Sequence, residues 1–199
     1  MNIVIIKYNA GNIESVNNAL MRLGTSAEVT ADPVKIMAAD KVIFPGVGEA
    51  STTMAYLKEH KLDELIRSLK QPFLGICLGQ QLMCSHSEEG DVECLGIFEE
   101  KVKLFRPEPG QEYITKVPHM GWNSIYNLNS PIMSPELENQ YVYFVHSYYV
   151  EVGEHTIATC DYINPFSAAL HKNNFYATQF HPEKSQKVGA RILENFLKL

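Results

Sequence analysis

Short apolar runs alternate with helix-spaced apolar positions through the first half of the chain. Residues 2–8 (NIVIIKY) are apolar almost without a break, which predicts a strand buried on both faces. Ile13, Val16, Leu20 and Leu23 then recur at helical spacing, with Gly24 as a stop signal. Residues 26–30 and 41–44 read as two more strands, the second cut off by Pro45 and Gly46, and helical segments are expected near 50–58 and 62–70. QPFLGIC at 71–77 predicts a fourth strand with a helix over 78–84 directly after it. Such alternation implies parallel pairing with right-handed crossovers. The second half reads as strands at 97–105, 113–117, 122–127, 141–150, 155–162, 166–172 and 175–180, expected as antiparallel additions to the sheet, with a hairpin turn at His171–Phe175 because Asn tolerates positive φ. A last helix is expected from Ser185 to the end, with Val188, Ile192 and Phe196 on one stripe. No repeat, low-complexity tract or linker interrupts the pattern, so one α/β domain is the simplest account.

Composition narrows this further. The 199 residues are 45% apolar and 20% charged, ordinary for a globular domain, and a chain of this size buries roughly 70% of its unfolded surface without staples. The net charge is 17 − 23 = −6. With no Lys/Arg cluster, a nucleic-acid face is excluded as a leading idea. No apolar run approaches the roughly 18 residues of a membrane span, and the N-terminus lacks the basic lead of a signal peptide, so a soluble, cytoplasmic protein is expected. Cys77, Cys84, Cys94 and Cys160 form no C-x-x-C pair, so free thiols are expected. No H-x-x-x-H or C-x-x-C spacing occurs either, and no metal is expected.

The chemistry concentrates in two segments. Gly75-Ile76-Cys77-Leu78-Gly79 follows a buried strand and opens a helix, the thiol form of a nucleophile elbow. The flanking glycines leave room for a strained turn that pushes Cys77 out at the carboxyl end of the sheet. A helix N-terminus there favours a thiolate and offers N–H groups to an oxyanion. A thiol nucleophile needs a histidine. Of the seven, His181 stands in Gln179-Phe180-His181-Pro182-Glu183-Lys184-Ser185. Pro182 is expected to keep this segment extended, so that residues 181 and 183 face one side. Glu183 then orients the His181 ring as the third member of a triad. Cys77 as nucleophile, His181 as base and Glu183 as orienter is the sequence-level assignment, set against a non-enzymatic module with an elbow cysteine.

G-I-C-L-G at 75–79, P-G-V-G at 45–48 and H-P-E-K-S at 181–185, taken together and in order, resemble the class I (triad) glutamine amidotransferases over essentially the whole chain. Tyr8-Asn9-Ala10-Gly11-Asn12, PHMGWN at 118–123 and YFVHSYY at 143–149 are similar to one branch of them, the glutaminase subunits that serve a (β/α)8-barrel cyclase in histidine biosynthesis. The resemblance implies a single three-layer α/β domain with a flavodoxin-like core, glutamine as substrate and a glutamyl thioester. No cofactor is implied. It also implies oxyanion donors at Val47 and Leu78, and glutamine contacts at Gly48, Gln81, Glu89, Ser147 and Tyr148. Gln81 lies one helical turn after Cys77, on the same face. Asn12, Trp122, Tyr143 and Lys184 are implied at the interface with the barrel subunit, in a one-to-one heterodimer, with His119 and Met120 nearby. Gln80 stands where family members commonly have Met. The neighbouring alternative is a triad glutaminase serving another synthase, such as one of surface-sugar assembly; PHMGWN argues against the anthranilate, purine and vitamin B6 branches.

Overall fold

The structure, a computed structural model, describes residues 1–8, 12–110 and 115–199. Residues 9–11 of the Tyr8–Asn12 motif, and residues 113 and 114 of the strand expected over 113–117, lie outside the described residues. Residues 115–117 are not in a strand.

In chain order the elements are β1 (Ile3–Ile6), α1 (Ile13–Arg22), β2 (Glu28–Thr30), α2 (Pro33–Met37), β3 (Lys41–Gly46), α3 (Ala50–Glu59), α4 (Leu62–Ser68), β4 (Phe73–Cys77) and α5 (Leu78–Met83). After these come β5 (His86–Ser87), β6 (Val92–Glu93), β7 (Lys101–Leu104), β8 (His119–Ser124), β9 (Tyr141–His146), β10 (Tyr148–Val150), β11 (Thr156–Asp161), β12 (Pro165–Lys172), β13 (Phe175–Thr178) and α6 (Gln186–Leu197). The main sheet runs β11-β12-β13-β4-β3-β1-β2. Its strands from β13 to β2 are parallel, whereas β11 and β12 pair antiparallel. The parallel part has the doubly wound order in which ligands collect beyond the carboxyl ends of the strands.

The apolar runs fill both faces, as their continuity requires. Ile3 and Ile5 of β1 pack with Val16 and Leu20 of α1 and Ile192 and Phe196 of α6. Val4 and Ile6, one residue out of phase, pack with Met54, Leu57, Ile66 and Leu82 of α3, α4 and α5. Three layers follow from that alternation. The hairpin at 171–175 forms with Asn173 at φ +56° and Lys172 paired to Phe175.

Several expectations shift. Pro45 does not end β3: Pro45 pairs with Ile76 and Gly46 with Cys77. The β1 side of β3 is paired only as far as Ile43, so the proline lies where one edge is already free and a missing N–H disrupts nothing. The later strands are not all additions to the main sheet, since β10-β7-β5-β6 and β8-β9 form two small sheets of their own. The single strand expected over 141–150 breaks at Ser147, where the chain passes from pairing with β8 to pairing with β7. α2 was not anticipated; Pro33 at its first turn and Asp32, whose carboxylate accepts from the Val34 N–H at 2.9 Å, start it.

Candidate active site

Cys77 ends β4 and caps α5 with φ +55° and ψ −109°. A non-glycine residue there stores about 1–3 kcal/mol of strain that its surroundings must hold in place. The glycines around it provide that hold by close approach. A Cβ on Gly79 would overlap the Phe44 carbonyl oxygen, and one on Gly46 would lie 2.5 Å from the Gly79 nitrogen. The end of β3 and the start of α5 therefore touch backbone to backbone, which fixes where the Cys77 side chain emerges.

β13 lies beside β4 and parallel to it, with Thr178 opposite Ile76, so the segment after β13 reaches the same rim. His181 is tied there by its N–H to the Tyr143 carbonyl at 2.9 Å. Ser185 Oγ donates to the His181 carbonyl at 2.7 Å and accepts from the Tyr143 N–H at 2.9 Å. The His181 Nδ1–H donates to Glu183 Oε1 at 2.8 Å, both side chains being almost wholly buried. The contact is the expected one but its backbone is not. Pro182–Lys184 forms a 3₁₀ turn rather than an extended segment, and that turn folds the carboxylate back onto the ring. His181 Nε2 makes no hydrogen bond of ordinary geometry, yet Cys77 is close enough to act on the ring. Burial opposes charge on His181; Cys77 and Glu183 outweigh it and raise the imidazole to about 10.

Cys77 and His181 open into a cavity of about 350 Å³. Val47 and Leu78 line it, and so do Gly48, Gln81, Glu89, Ser147 and Tyr148, with Lys184 also on its wall. Every residue singled out for oxyanion or substrate contact thus converges on one cavity of ligand-binding size. Leu78 is the first residue of α5, whose leading N–H groups have no intrahelical acceptor. Glu89 Oε2 accepts from the Ala50 N–H at 2.8 Å; partial burial raises its carboxyl, with Glu49 adding to the effect and the Ala50 N–H opposing it. Of the residues implied at a partner face, Asn12 Nδ2 approaches Glu183 Oε1 at 3.5 Å. Tyr143 holds His181 through its backbone. Trp122 stands across the strand pair from Tyr143 and is 46% exposed. A wider cleft of about 560 Å³ lies behind Glu183, between α1 and α6, and Cys77 has no part in it.

Four residues have roles that the sequence reading did not assign: Tyr8, His146 and Gln179 stood in its motifs without a part in the chemistry, and His119 was placed only near the partner face. Gln179 is fully buried and its Nε2 donates to Cys77 Sγ at 3.7 Å. The Tyr8 hydroxyl donates to the Pro45 carbonyl at 2.7 Å, and the Val47 N–H is directed at the same phenol oxygen. Burial and nearby Cys77 push that phenol up, so it remains a neutral donor. His119 and His146 form a buried chain: Asn123 Nδ2 approaches His119 Nε2 at 3.4 Å, His119 Nδ1 meets His146 Nε2 at 3.0 Å, and His146 Nδ1–H donates to the Tyr148 carbonyl at 2.7 Å. That carbonyl only accepts, so His146 Nδ1 carries a proton; burial disfavours a second one on either ring, which leaves His146 Nε2 to accept from His119 Nδ1–H.

Burial lowers His119 to about 4 and His146 to about 3, from 6.5 in the open chain. Depressed groups stabilise the fold above their unfolded value and lose that contribution as pH falls towards the folded values. His181, raised instead, is protonated in both states below 6.5 and adds no slope there. Stability by urea unfolding is therefore expected to fall by up to about 5 kcal/mol between pH 7 and pH 4.5 from this pair. His119→Asn, which keeps an N–H near the Nδ1 position, is expected to halve that loss.

All four cysteines are free and buried. Burial pushes the Cys84 thiol well up and those of Cys94 and Cys160 to about 12, so these three stay protonated. One cluster among the described residues, Glu99, Glu100 and His155, has metal-ligand chemistry. It lies outside the cavity and is internally paired, His155 Nδ1 with Glu100 at 3.2 Å and Glu99 with Lys172 at 2.6 Å. No helix among the described residues is long and apolar enough to cross a membrane.

A cysteine at a strand–helix elbow beside a His–Glu pair, on this sheet order, defines a class, and the chain belongs to it: the glutamine amidotransferase class-I family, whose model matches residues 4–199. Within that class the chain is similar to imidazole glycerol phosphate synthase subunit HisH of Bacteroides fragilis, 62% identical over 199 residues and covering 100% of both chains. It is also similar to the HisH subunit of Vibrio cholerae, 44% identical over 205 residues that cover 100% of this chain and 98% of the relative. Among solved structures it is similar in fold to a glutamine amidotransferase at TM-score 0.73 and 17% identity, over 98% of this chain and 97% of that one. A glutamine amidotransferase of Thermotoga maritima matches at TM-score 0.61 and 17% identity, over 100% of this chain and 83% of that one.

Proposed function

We propose that this chain is the glutaminase subunit of an imidazole glycerol phosphate synthase, acting in the cytoplasm as a one-to-one heterodimer with a (β/α)8-barrel cyclase. The observation that carries the reading is the convergence of Cys77, His181 with Glu183, and the glutamine-contact set on one cavity. The full-length likeness to HisH subunits supports the choice of synthase. Cys77 Sγ attacks the side-chain amide carbon of glutamine. The C–N bond breaks as the His181 imidazolium hands its proton to the departing ammonia. Water, deprotonated by His181, then attacks the thioester carbon, and the C–S bond breaks with its electron pair returning to sulfur. Glu183 holds the His181 tautomer through both halves. The Leu78 and Val47 N–H groups take the oxyanion. Ammonia is passed through a channel to the barrel, where a phosphoribosyl formimino aminoimidazole carboxamide ribotide is cleaved to imidazole glycerol phosphate and aminoimidazole carboxamide ribotide, a lyase step. Asn12, Trp122, Tyr143 and Lys184 serve the docking face; an exposed tryptophan suits an anchor.

The Val47 amide points toward Tyr8 Oη, with no hydrogen bond of ordinary geometry to hold it there. The PGVG loop must turn for Val47 to serve an oxyanion, and Gly48, at φ +124°, gives it the freedom to do so. The chain alone is therefore expected to hydrolyse glutamine slowly, and about 100-fold or more faster with the barrel subunit and its nucleotide, on the scale of one oxyanion donor. A steady-state assay of glutamate release in the three conditions reads this. Full turnover by the chain alone removes the switch and leaves the triad; no glutamate under any condition removes the function.

A further inference from the structure

We infer that Gln179 is a further catalytic residue, whose amide N–H holds the Cys77 sulfur as a thiolate both before attack and when it leaves the thioester. The assignment rests on the reading of Cys77 as nucleophile and adds to it a donor on the sulfur itself. The orientation of the amide is fixed by its neighbours. Gln81 Nε2 lies 2.9 Å from the Tyr148 carbonyl, which can only accept, so that atom of Gln81 is the nitrogen. Its second hydrogen meets Gln179 Oε1 at 2.9 Å. Gln179 must then present its nitrogen to the remaining neighbour, and that neighbour is Cys77 Sγ at 3.7 Å. The Tyr148 carbonyl is itself locked by His146 Nδ1–H at 2.7 Å, so the amide cannot flip without breaking two buried bonds.

The placement has a chemical consequence. Gln179 and Gln80 are fully buried and Gln81 nearly so, and in such a site an N–H aimed at an anion is worth more than in water. Sulfur carries negative charge at the start of acylation and again as the C–S bond breaks, but not in the thioester between. The Gln179 donor therefore favours the charged ends of the cycle over its midpoint. The same chain leaves Gln81 with Oε1 as its free atom on the cavity wall, so the residue that contacts substrate also orients the donor to the nucleophile.

The test uses the full chain, alone and with its barrel partner, as wild type, Gln179→Leu and Gln179→Met. Methionine keeps the length of the side chain with neither a donor nor an added charge, so it reports even where leucine prevents folding, and melting curves identify the folded variants. Alkylation of Cys77 by iodoacetamide is followed by peptide mass across pH 5–10; the other three thiols are buried and protonated. The expected result is alkylation about tenfold slower at pH 7, with the midpoint of the pH–rate profile moved about one unit upward. With partner and glutamine, kcat is expected to fall ten- to a hundredfold with KM within about threefold. Folded variants that keep the wild-type alkylation profile overturn the assignment, whether or not kcat falls, because a purely structural amide leaves that profile in place. Failure of wild type to hydrolyse glutamine removes the proposed function instead, and the alkylation profile still decides the role of Gln179.

Discussion

Cys77→Ala is expected to lower glutamine hydrolysis by about 10⁴-fold or more while ammonia-dependent synthesis by the proposed cyclase partner continues at the wild-type rate. Without Sγ no thioester forms, and what survives is the acceleration that an oxyanion hole and bound geometry give on their own, which in acyl-transfer enzymes falls several orders of magnitude short of the full rate. Alanine suits the test because it keeps Cβ. The backbone at φ +55° and ψ −109° carries the same strain in either residue, and the contacts between β3 and α5 involve Gly46 and Gly79 rather than the sulfur. Folding and docking are thus expected to be unchanged. Cys77→Ser is expected to be nearly as severe, since a hydroxyl is far harder to ionise and its oxygen lies closer to Cβ than the sulfur it replaces. Both rates are read on one preparation of the chain with its proposed cyclase partner, with glutamine or with ammonium salt as nitrogen source. Retention of more than a few per cent of the glutamine-dependent rate dismisses Cys77 as the nucleophile. Loss of both rates means that the change has reached the interface.

How much of this was legible in the chain depended on how local each determinant is. β1, β3 and β4 announce themselves because strands covered on both faces need unbroken apolar runs. The elbow announces itself because Gly75, Cys77 and Gly79 must be adjacent for the turn to exist at all. The His181–Glu183 contact was anticipated from a spacing of two, although a 3₁₀ turn rather than an extended strand produces it; the short separation leaves few ways for the pair to miss. Gln179 and Cys77 are 102 positions apart, Tyr8 and Pro45 are 37, and His119 and His146 are 27. A buried glutamine and an exposed one look alike in sequence, and only the fold decides which polar groups meet. The two small sheets were illegible for a different reason. β5 and β6 are two residues each, too short to show any period. The break at Ser147 within an apolar run comes from a change of partner strand, which leaves no local mark. One signal was available and went unused: Gln179 stands in the same short segment as His181 and Glu183, with no solvent-facing reason to be polar at the end of a buried strand.

Gly189→Ala is expected to destabilise the protein by about 2–4 kcal/mol and to cut glutamine turnover by about 100-fold, although propensity alone predicts the opposite. Alanine inside a helix is worth about 1 kcal/mol over glycine, and Gly189 lies within α6 with no positive φ to protect. Against that, a Cβ at 189 would overlap the Pro182 carbonyl oxygen and come within 2.7 Å of the Pro182 carbonyl carbon. These are backbone atoms of the 3₁₀ turn that carries Glu183, and no rotamer change relieves them. Either α6 lifts from the sheet, losing the packing of Ile192 and Phe196, or the turn slides and takes the carboxylate off His181 Nδ1. Clash exceeds propensity in the first case, and the second misplaces Glu183 by something near 1 Å, which is enough for the loss of rate if Glu183 orients His181 as proposed. Gly24→Ala serves as the control. Gly24 has φ +79° and nothing within 4 Å of a Cβ, so it is expected to cost about 1 kcal/mol through backbone strain and to leave kcat alone. Urea unfolding of the chain and kcat with the proposed cyclase partner separate the two. A Gly189→Ala protein as stable and active as wild type shows that the turn is set by Ser185 and Tyr143 alone, and that α6 merely follows it.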